Sequence, residues 1–506
     1  MADAGPPALW GKVLDQDRCI GCHACTVACK SENEVSMGVT RTFVKQVEIG
    51  LFPHVRRHFQ VTRCNQCSDP PCVAACPVTA MFQRPDGIVD FDREVCIGCK
   101  ACIAACPYDA IFIDPQTHSA EKCNFCAHRV DQGLQPACVA VCPEGAIIVG
   151  DMNDPGSEIS RILARERVEV RKPYAHTHPR TYYKGGDVAA LDPTRAESRR
   201  MFYAAEARQH STPHPVAVRR AHPRSSASAI LAYDDHHTVP WDWRVSVYTW
   251  TKSIAAGAFG LGAVLSLAAG TGTDALHGVA LFSFVLLLAT FALIIADLEH
   301  PARFYRIFLR PQWRSWLARG AFILSGYAAV LVLAGVGAWI GAPGLALAVR
   351  VPAIVLAAPA AGYTGMMFGQ CRGRTLWHSP ALAVALMVQA ALAGSAALLL
   401  LHLGGLGPAA WTGAVRAVLA AAVGAHLLLS LVDAAVPAHN TDGAAAARQL
   451  RHGLYARLYW GGLLLTALAL ILVLSGGLAV GAALALLGLL VYHHAYVQAG
   501  QAVALS

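Results

Sequence analysis

Sixteen of the chain's seventeen cysteines lie between Cys19 and Cys142 in four groups of four, and nothing else in the sequence restricts the fold as tightly. The first group is Cys19-x2-Cys22-x2-Cys25-x3-Cys29 and the third is Cys96-x2-Cys99-x2-Cys102-x3-Cys106. In the second, Cys64-x2-Cys67-x4-Cys72-x3-Cys76, the middle gap is longer. The fourth, Cys123-x2-Cys126-x11-Cys138-x3-Cys142, carries an inserted loop. Pro77, Pro107 and Pro143 follow the last cysteine of three groups, and Lys30 takes that place in the first.

Thiolates at these spacings hold [4Fe–4S] cubanes. Three closely spaced cysteines wrap one cluster, while the fourth sits too far along the turn and ligates its neighbour. Four groups therefore predict four clusters, and an all-cysteine donor set argues against a three-iron or Rieske centre. Zinc uses the same residue type, but it explains neither the ferredoxin spacing nor the trailing prolines. Disulfide frameworks belong to small secreted chains. Cys19-Ile-Gly-Cys22-His23 matches a c-type haem attachment pattern, yet the first quartet already needs both cysteines.

Composition changes sharply along the chain, from a polar first half to a second half of apolar runs. Lys12-Val13-Leu14 reads as a strand entering the first group, and residues 41–63 alternate like a strand pair delivering the second. Residues 87–92 and 110–114 flank the third group as hairpin halves, and 146–150 repeat this after the fourth. Residues 185–245 are rich in Arg, His, Pro and Ser and read as a linker. His176, His178, His210, His214, His222, His236 and His237 are scattered there and before it in solvated positions rather than at metal-site spacing. Eight apolar segments follow, near 247–270, 275–298, 317–341, 347–370, 379–403, 411–435, 458–476 and 478–499. Each is long enough to cross a ~30 Å hydrocarbon core. The expected domains are 1–184, 185–245 and 246–500. The expected fold is an α+β duplicated bacterial-ferredoxin-like domain followed by an all-α eight-helix transmembrane bundle.

The net charge of +8 does not indicate nucleic acid, since no basic patch is interleaved with aromatics. Ten arginines (303, 306, 310, 314, 319, 372, 374, 448, 451 and 457) occupy loops on the N-terminal side of the bundle, against Arg350 and Arg416 on the other. Positive-inside reasoning puts the cysteine-rich domain in the cytoplasm, at an inner membrane. A partner carrying its own export signal would reverse this.

Cys19 to Asn33, read as Cys-x2-Cys-x2-Cys-x3-Cys-Lys-x-Glu-Asn, with the four-group order and Gly150-Asp151-Met152-Asn153-Asp154-Pro155, resembles the four-cluster electron-transfer subunits of the dimethyl sulfoxide, polysulfide and formate oxidoreductases over roughly 10–184. The resemblance implies four ligand sets: Cys19, Cys22, Cys25 with Cys142; Cys123, Cys126, Cys138 with Cys29; Cys64, Cys67, Cys72 with Cys106; and Cys96, Cys99, Cys102 with Cys76. Trp241-Asp242-Trp243-Arg244, Asp297-Leu298-x-His300-Pro301-x-Arg303 and Trp313-Arg314-Ser315-Trp316 resemble polysulfide-reductase-type (NrfD-like) quinone-interacting membrane subunits over most of 240–499. In such complexes these are usually two chains. Their fusion here fixes a one-to-one ratio.

Polar groups inside a bilayer are costly and mark function. Lys252, Asp297, Tyr363 and Gln370 fall on the cysteine-rich side, with His300 and Arg303 just beyond. Asp297 is expected to relay protons while Tyr363 and His300 hydrogen-bond a quinone head, Lys252, Arg303 and Gln370 assisting. The alternative is an Asp297–Arg303 helix-end ion pair with Lys252 snorkelling to lipid headgroups. His426 and Asp433 share a helix face and, with Gln389 and His402, form a candidate proton path. Haem b would need facing histidines, and no haem is expected.

The expected function is electron transfer and membrane anchoring between a separate catalytic subunit, of molybdopterin type by the resemblance, and the quinone pool of a respiratory chain. This chain itself would perform no substrate chemistry. The alternatives are a redox-driven proton-pumping subunit, or a quinone-reactive partner of a hydrogenase or haem protein.

Overall fold

The computed structural model describes residues 7–198, 229–235, 239–270, 274–406, 409–438 and 440–506. His210, His214, His222, His236 and His237 lie outside them.

The cysteine-rich part is built from short strands and one- or two-turn helices: β1 (Trp10–Asp15), α1 (Ala24–Glu32), β2 (Thr42–Leu51), β3 (His54–Arg63), α2 (Pro71–Ala75), β4 (Met81–Gln83), β5 (Val89–Phe91), α3 (Ala101–Ala105), β6 (Ile111–Ile113), β7 (Ala120–Lys122), α4 (Ala127–Val130), α5 (Ala137–Ala140), β8 (Ile147–Asp151), α6 (Glu158–Arg165), β9 (Val168–Glu169), β10 (Thr181–Lys184), α7 (Val188–Leu191), β11 (Glu197–Ser198) and β12 (Ala229–Tyr233). One four-stranded sheet runs β8-β1-β10-β9 and a second runs β11-β12-β2-β3. The alternation over 41–63 becomes a ten-residue antiparallel hairpin, in register from Thr42–Arg63 to Leu51–His54. The stretches before and after the third cysteine group do not pair with each other. Each closes its own two-stranded hairpin, β4 with β5 and β6 with β7. Residues 229–233, read as linker, pair with the free edge of β2. Their short apolar run fills the small core of Val47, Ala189, Ala190 and Ala196, which a solvated linker would leave open.

Eight helices among the described residues are long and apolar enough to cross a membrane, within a few residues of the expected segments. They are α8 (Trp243–Ala268), α9 (Asp274–Ala296), α11 (Trp316–Trp339), α13 (Arg350–Gly369), α14 (Leu382–Leu403), α15 (Thr412–Ala435), α17 (Ala456–Ser475) and α18 (Leu478–Gln501), with the short α10 (Arg306–Leu309), α12 (Pro343–Ala348) and α16 (Thr441–Arg451) in loops. The soft boundary between the last two spans is a left-handed turn at Gly476 (φ +100°), a conformation that glycine adopts without strain. Helix α8 is central and packs against α9, α13, α14 and α18. At the α8–α14 crossing, Gly257 lies against the Ala390 carbonyl and Gly394 against the Gly257 backbone. Small residues permit this approach, as they do generally between membrane helices.

The two halves are bolted together at many points. Lys172 Nζ and Tyr174 Oη each donate to Asp442 Oδ2 on α16 at 2.7 Å. Arg372 donates to Asp69 (3.1 Å) and to the His176 carbonyl (2.7 Å), and Leu505 N donates to Asp109 (2.7 Å). A shared core buries Leu298, Ile307 and Ala318 against the second and third cysteine groups.

Candidate functional site

The four cysteine groups share one local device. The residue before the second cysteine is left-handed in each: Gly21 (φ 71°), Gln66 (φ 47°), Gly98 (φ 70°) and Phe125 (φ 65°). That turn brings the first two sulfurs round to one side. After the last cysteine, the three Cys-Pro groups continue to another left-handed residue, Thr79, Asp109 or Gly145. This curl aims backbone N–H groups at sulfur, as with Ala146 N to Cys142 Sγ at 3.3 Å.

The resulting sets mix the groups. Cys19, Cys22, Cys25 and Cys142 line one cavity. Cys29, Cys123, Cys126 and Cys138 line a second, and Cys76, Cys96, Cys99 and Cys102 a third. Cys67 and Cys72 interact electrostatically with both Cys64 and Cys106. Among the described residues no three His, Cys, Asp or Glu side chains converge on a single-ion site. The donors of three sets stand around voids, which suits a multi-iron body carrying its ligands outside. Burial pushes the Cys29 thiol up to about 12, so holding such groups as thiolates needs metal charge.

The second set differs electrostatically. Arg63, buried, donates to Cys138 Sγ at 3.1 Å, and Lys12 Nζ lies 3.8 Å from Cys123 Sγ. Burial acts to raise the Cys123 thiol, but Lys12, Arg63, the Phe125 N–H and Lys122 together outweigh it and hold it at about 7.

The third set sits on the membrane half. Trp241 Nε1 donates to the Cys99 carbonyl at 3.2 Å, and Trp241 stacks with Trp377, which stacks in turn with Phe368. Glu299 N donates to Gly98 O and His300 N to Ile97 O, at 3.3 and 3.2 Å. Lys100 Nζ bonds the Asp297 carbonyl at 3.0 Å and lies 3.6 Å from its carboxylate. Burial pushes the Asp297 carboxyl up to about 6, with Lys100 opposing. At the other end, Cys22 is exposed and Cys19 and Cys142 are half-buried.

The expected quinone residues divide. His300 bonds the Thr117 carbonyl at 2.9 Å and Arg303 the carbonyls of Arg93 (3.1 Å) and Cys96 (3.0 Å), so both side chains are committed to the cysteine-rich domain. Gln370 accepts from Trp316 N (2.8 Å) and donates to the Arg314 carbonyl (2.7 Å), bracing the start of α11. Asp297 pairs with Lys100 in place of Arg303. Lys252 does not snorkel. It is fully buried, bonds Ala361 O (2.9 Å) and Thr364 Oγ1 (2.5 Å), and lies 4.4 Å from the Tyr363 ring centre.

A second polar group lies at similar depth. Gln389 on α14 bridges His426 on α15 (3.4 Å) and His493 on α18 (2.9 Å). His493, next to His494 on an apolar helix, carried no proton-path signal in the sequence, because its partners on α14 and α15 lie far away along the chain. His402 does not join them; its ring is 5.9 Å from that of Trp411, at the far end of α14.

Residues 233–503 match the family described as polysulphide reductase, NrfD. Residues 55–152 match a 4Fe-4S dicluster domain and 10–31 a 4Fe-4S binding domain. The sequence is similar to one subunit of the tetrathionate reductase of Salmonella typhimurium, 44% identical over 195 residues (38% of this chain, 78% of the relative). It is also similar to one chain of the polysulfide reductase of Wolinella succinogenes, 42% over 176 residues (34% and 92%). With protein NrfC of Escherichia coli it shares 41% identity over 186 residues (36% and 83%).

Proposed function

Because this protein belongs to the polysulphide reductase NrfD family, as a multi-pass membrane protein with a 4Fe-4S electron-transfer domain fused ahead of its membrane domain, we infer that it carries electrons between a separate catalytic subunit and the membrane quinone pool. The observation that carries this reading is the Cys96–Cys102 loop, held on the membrane half through Trp241, Asp297 and Glu299. The exposed edge at Cys22 is the docking end for the catalytic partner, of molybdopterin type by the resemblance. The cysteine-rich domain faces the cytoplasm.

Each of the four cysteine sets holds one [4Fe–4S] cluster, which supplies one-electron transfer. Tyr363 and Lys252 hold the quinone ring and Asp297 relays protons. His300 and Arg303 keep the domains in register, and Gln370 braces the start of α11.

Two outcomes follow. In the purified complex, a naphthoquinol or benzoquinol analogue should bleach the iron–sulfur absorbance under anaerobic conditions. Asp297→Asn should abolish that reaction while leaving dithionite reduction of all clusters intact. Clusters that stay oxidised with every quinol would overturn the reading. Separately, Arg63→Gln should lower the potential of the Cys29/Cys123/Cys126/Cys138 cluster by about 60–130 mV in an EPR titration. That is the electrical equivalent of the ~1.5–3 kcal/mol of a hydrogen bond to a charged group.

A further inference from the structure

Between α14, α15, α16 and α18 lies a cavity of about 440 Å³. Its mouth is formed by loop residues His378, Pro380, Ala381, Pro437 and Ala438, all exposed. These loops lie on the side where the iron–sulfur domain is bolted, as the Arg372–Asp69 and Lys172–Asp442 pairs show. The floor is Gln389, His426 and His493. Counted along α14, α15 and α18, these residues sit about 10–14 Å inside the helix ends at 1.5 Å per residue. Lys252 on α8 and Tyr363 on α13 lie about 9–14 Å deep by the same count. The floor and the Lys252–Tyr363 pair therefore form one layer, roughly a third of the way across a ~30 Å core.

The floor's hydrogen bonding is incomplete in a specific way. The Gln389 amide N–H donates to His426 Nδ1, and its oxygen accepts from His493 Nε2. The first bond puts the His426 proton on Nε2, and the second leaves the His493 lone pair on Nδ1. Both imidazoles are buried, at 1% and 3% exposure, and those two nitrogens have no partner among the described residues. A buried N–H and a buried lone pair on the floor of one roomy, polar-rimmed cavity call for water. Around them stand Tyr492 on α18, with Tyr459 on α17 behind it, and the Asp433–Arg451 pair (4.0 Å) at the rim. Helix α8, which carries Lys252, packs directly on α14 and α18.

We propose that this cavity is a proton inlet, through which water carries protons from the iron–sulfur side to the Gln389–His426–His493 group and on to the layer holding Lys252 and Tyr363. The proposal rests on the quinone reading above. Reducing a quinone to a quinol takes two electrons, delivered through the iron–sulfur domain, and two protons. Lys252 is fully buried and Tyr363 is 5% exposed, so protons reach that layer through the protein, and this path adds a second route beside the Asp297 relay. His426 and His493 are relay residues, and Gln389 positions them by fixing which nitrogen of each ring stays free. In quinol oxidation the same path releases two protons.

The test uses the complex in lipid nanodiscs. Ser430 lines the cavity and is 3% exposed. Ser430→Cys, made in a Cys371→Ser background, should react with a charged, membrane-impermeant methanethiosulfonate, and labelling should lower quinone-reduction kcat. His426→Gln and His493→Gln should each lower kcat on the order of 10²-fold, with quinone KM unchanged, a steeper fall toward high pH, and partial recovery with added imidazole. Failure of Ser430→Cys to label overturns the inlet, as do histidine variants with unaltered kcat and pH profile. A raised KM at constant kcat would make the cavity the quinone ring's own site, which also overturns it. If the wild type exchanges no electrons with any quinol, the quinone reading fails, whereas thiol labelling still reports on the cavity.

Discussion

Gly394→Leu is expected to yield almost no folded protein. A side chain at Gly394 meets the backbone of Gly257 across the α8–α14 crossing, and one at Gly257 meets the Ala390 carbonyl. Backbone cannot rotate aside as a side chain can, so the helices must separate. The cost exceeds the ~1–3 kcal/mol of ordinary core overpacking. Helix α8 also carries Lys252 and packs on four other spans, so the loss spreads through the bundle. Set against a typical total stability of ~5–15 kcal/mol, this should appear as loss of the monodisperse detergent peak. Gly413→Leu is the control, since a Cβ there meets nothing within 4 Å and should leave yield and thermal midpoint nearly unchanged. Equal behaviour of the two variants would refute the packing account.

Cys102→Ala should break the electron path where it meets the membrane. Cys102 is buried on α3, in the same set as Cys99, whose carbonyl is held by Trp241. Removing one of four donors should cost that cluster, taking iron from about sixteen to about twelve per chain. Dithionite should still reduce the remaining clusters, while quinol-coupled bleaching falls to background. Because the cysteine is replaced by a smaller residue, cavity formation alone adds ~1 kcal/mol or so, too little to unfold the domain. If quinol coupling survives with the iron lowered, another set faces the membrane.

Much of this arrangement was legible from residue type and spacing. The cysteine groups and the trailing prolines announce turns that converge sulfurs, and the apolar runs announce spans whose ends shift by only a few residues. The short β4–β5 and β6–β7 hairpins were half legible, because three-residue strands carry too little alternation to be read. The pairing of β12 with β2 could not be read at all, since it joins residues nearly two hundred positions apart across a polar stretch. Among the membrane polar residues, type and depth were readable and partners were not. His300, Arg303 and Gln370 look like quinone ligands in one dimension, yet in three dimensions they are spent on carbonyls of the domain interface and on bracing α11.

What the sequence determined by itself is therefore whatever depends on neighbours along the chain: thiolate spacing, hydrophobic length, and the cost of a charge within an apolar run. The tertiary structure alone decided which groups meet. It turned Lys252 inward onto Thr364 and Tyr363 where a snorkelling lysine was an open reading, and it gave Asp297 to Lys100. It also joined His426 to His493 through Gln389, three residues on three helices. The physical reason is that a hydrogen bond depends on a separation of about 3 Å. For residues on different helices, that separation is set by how the helices pack, and the order of residues along the chain does not contain it.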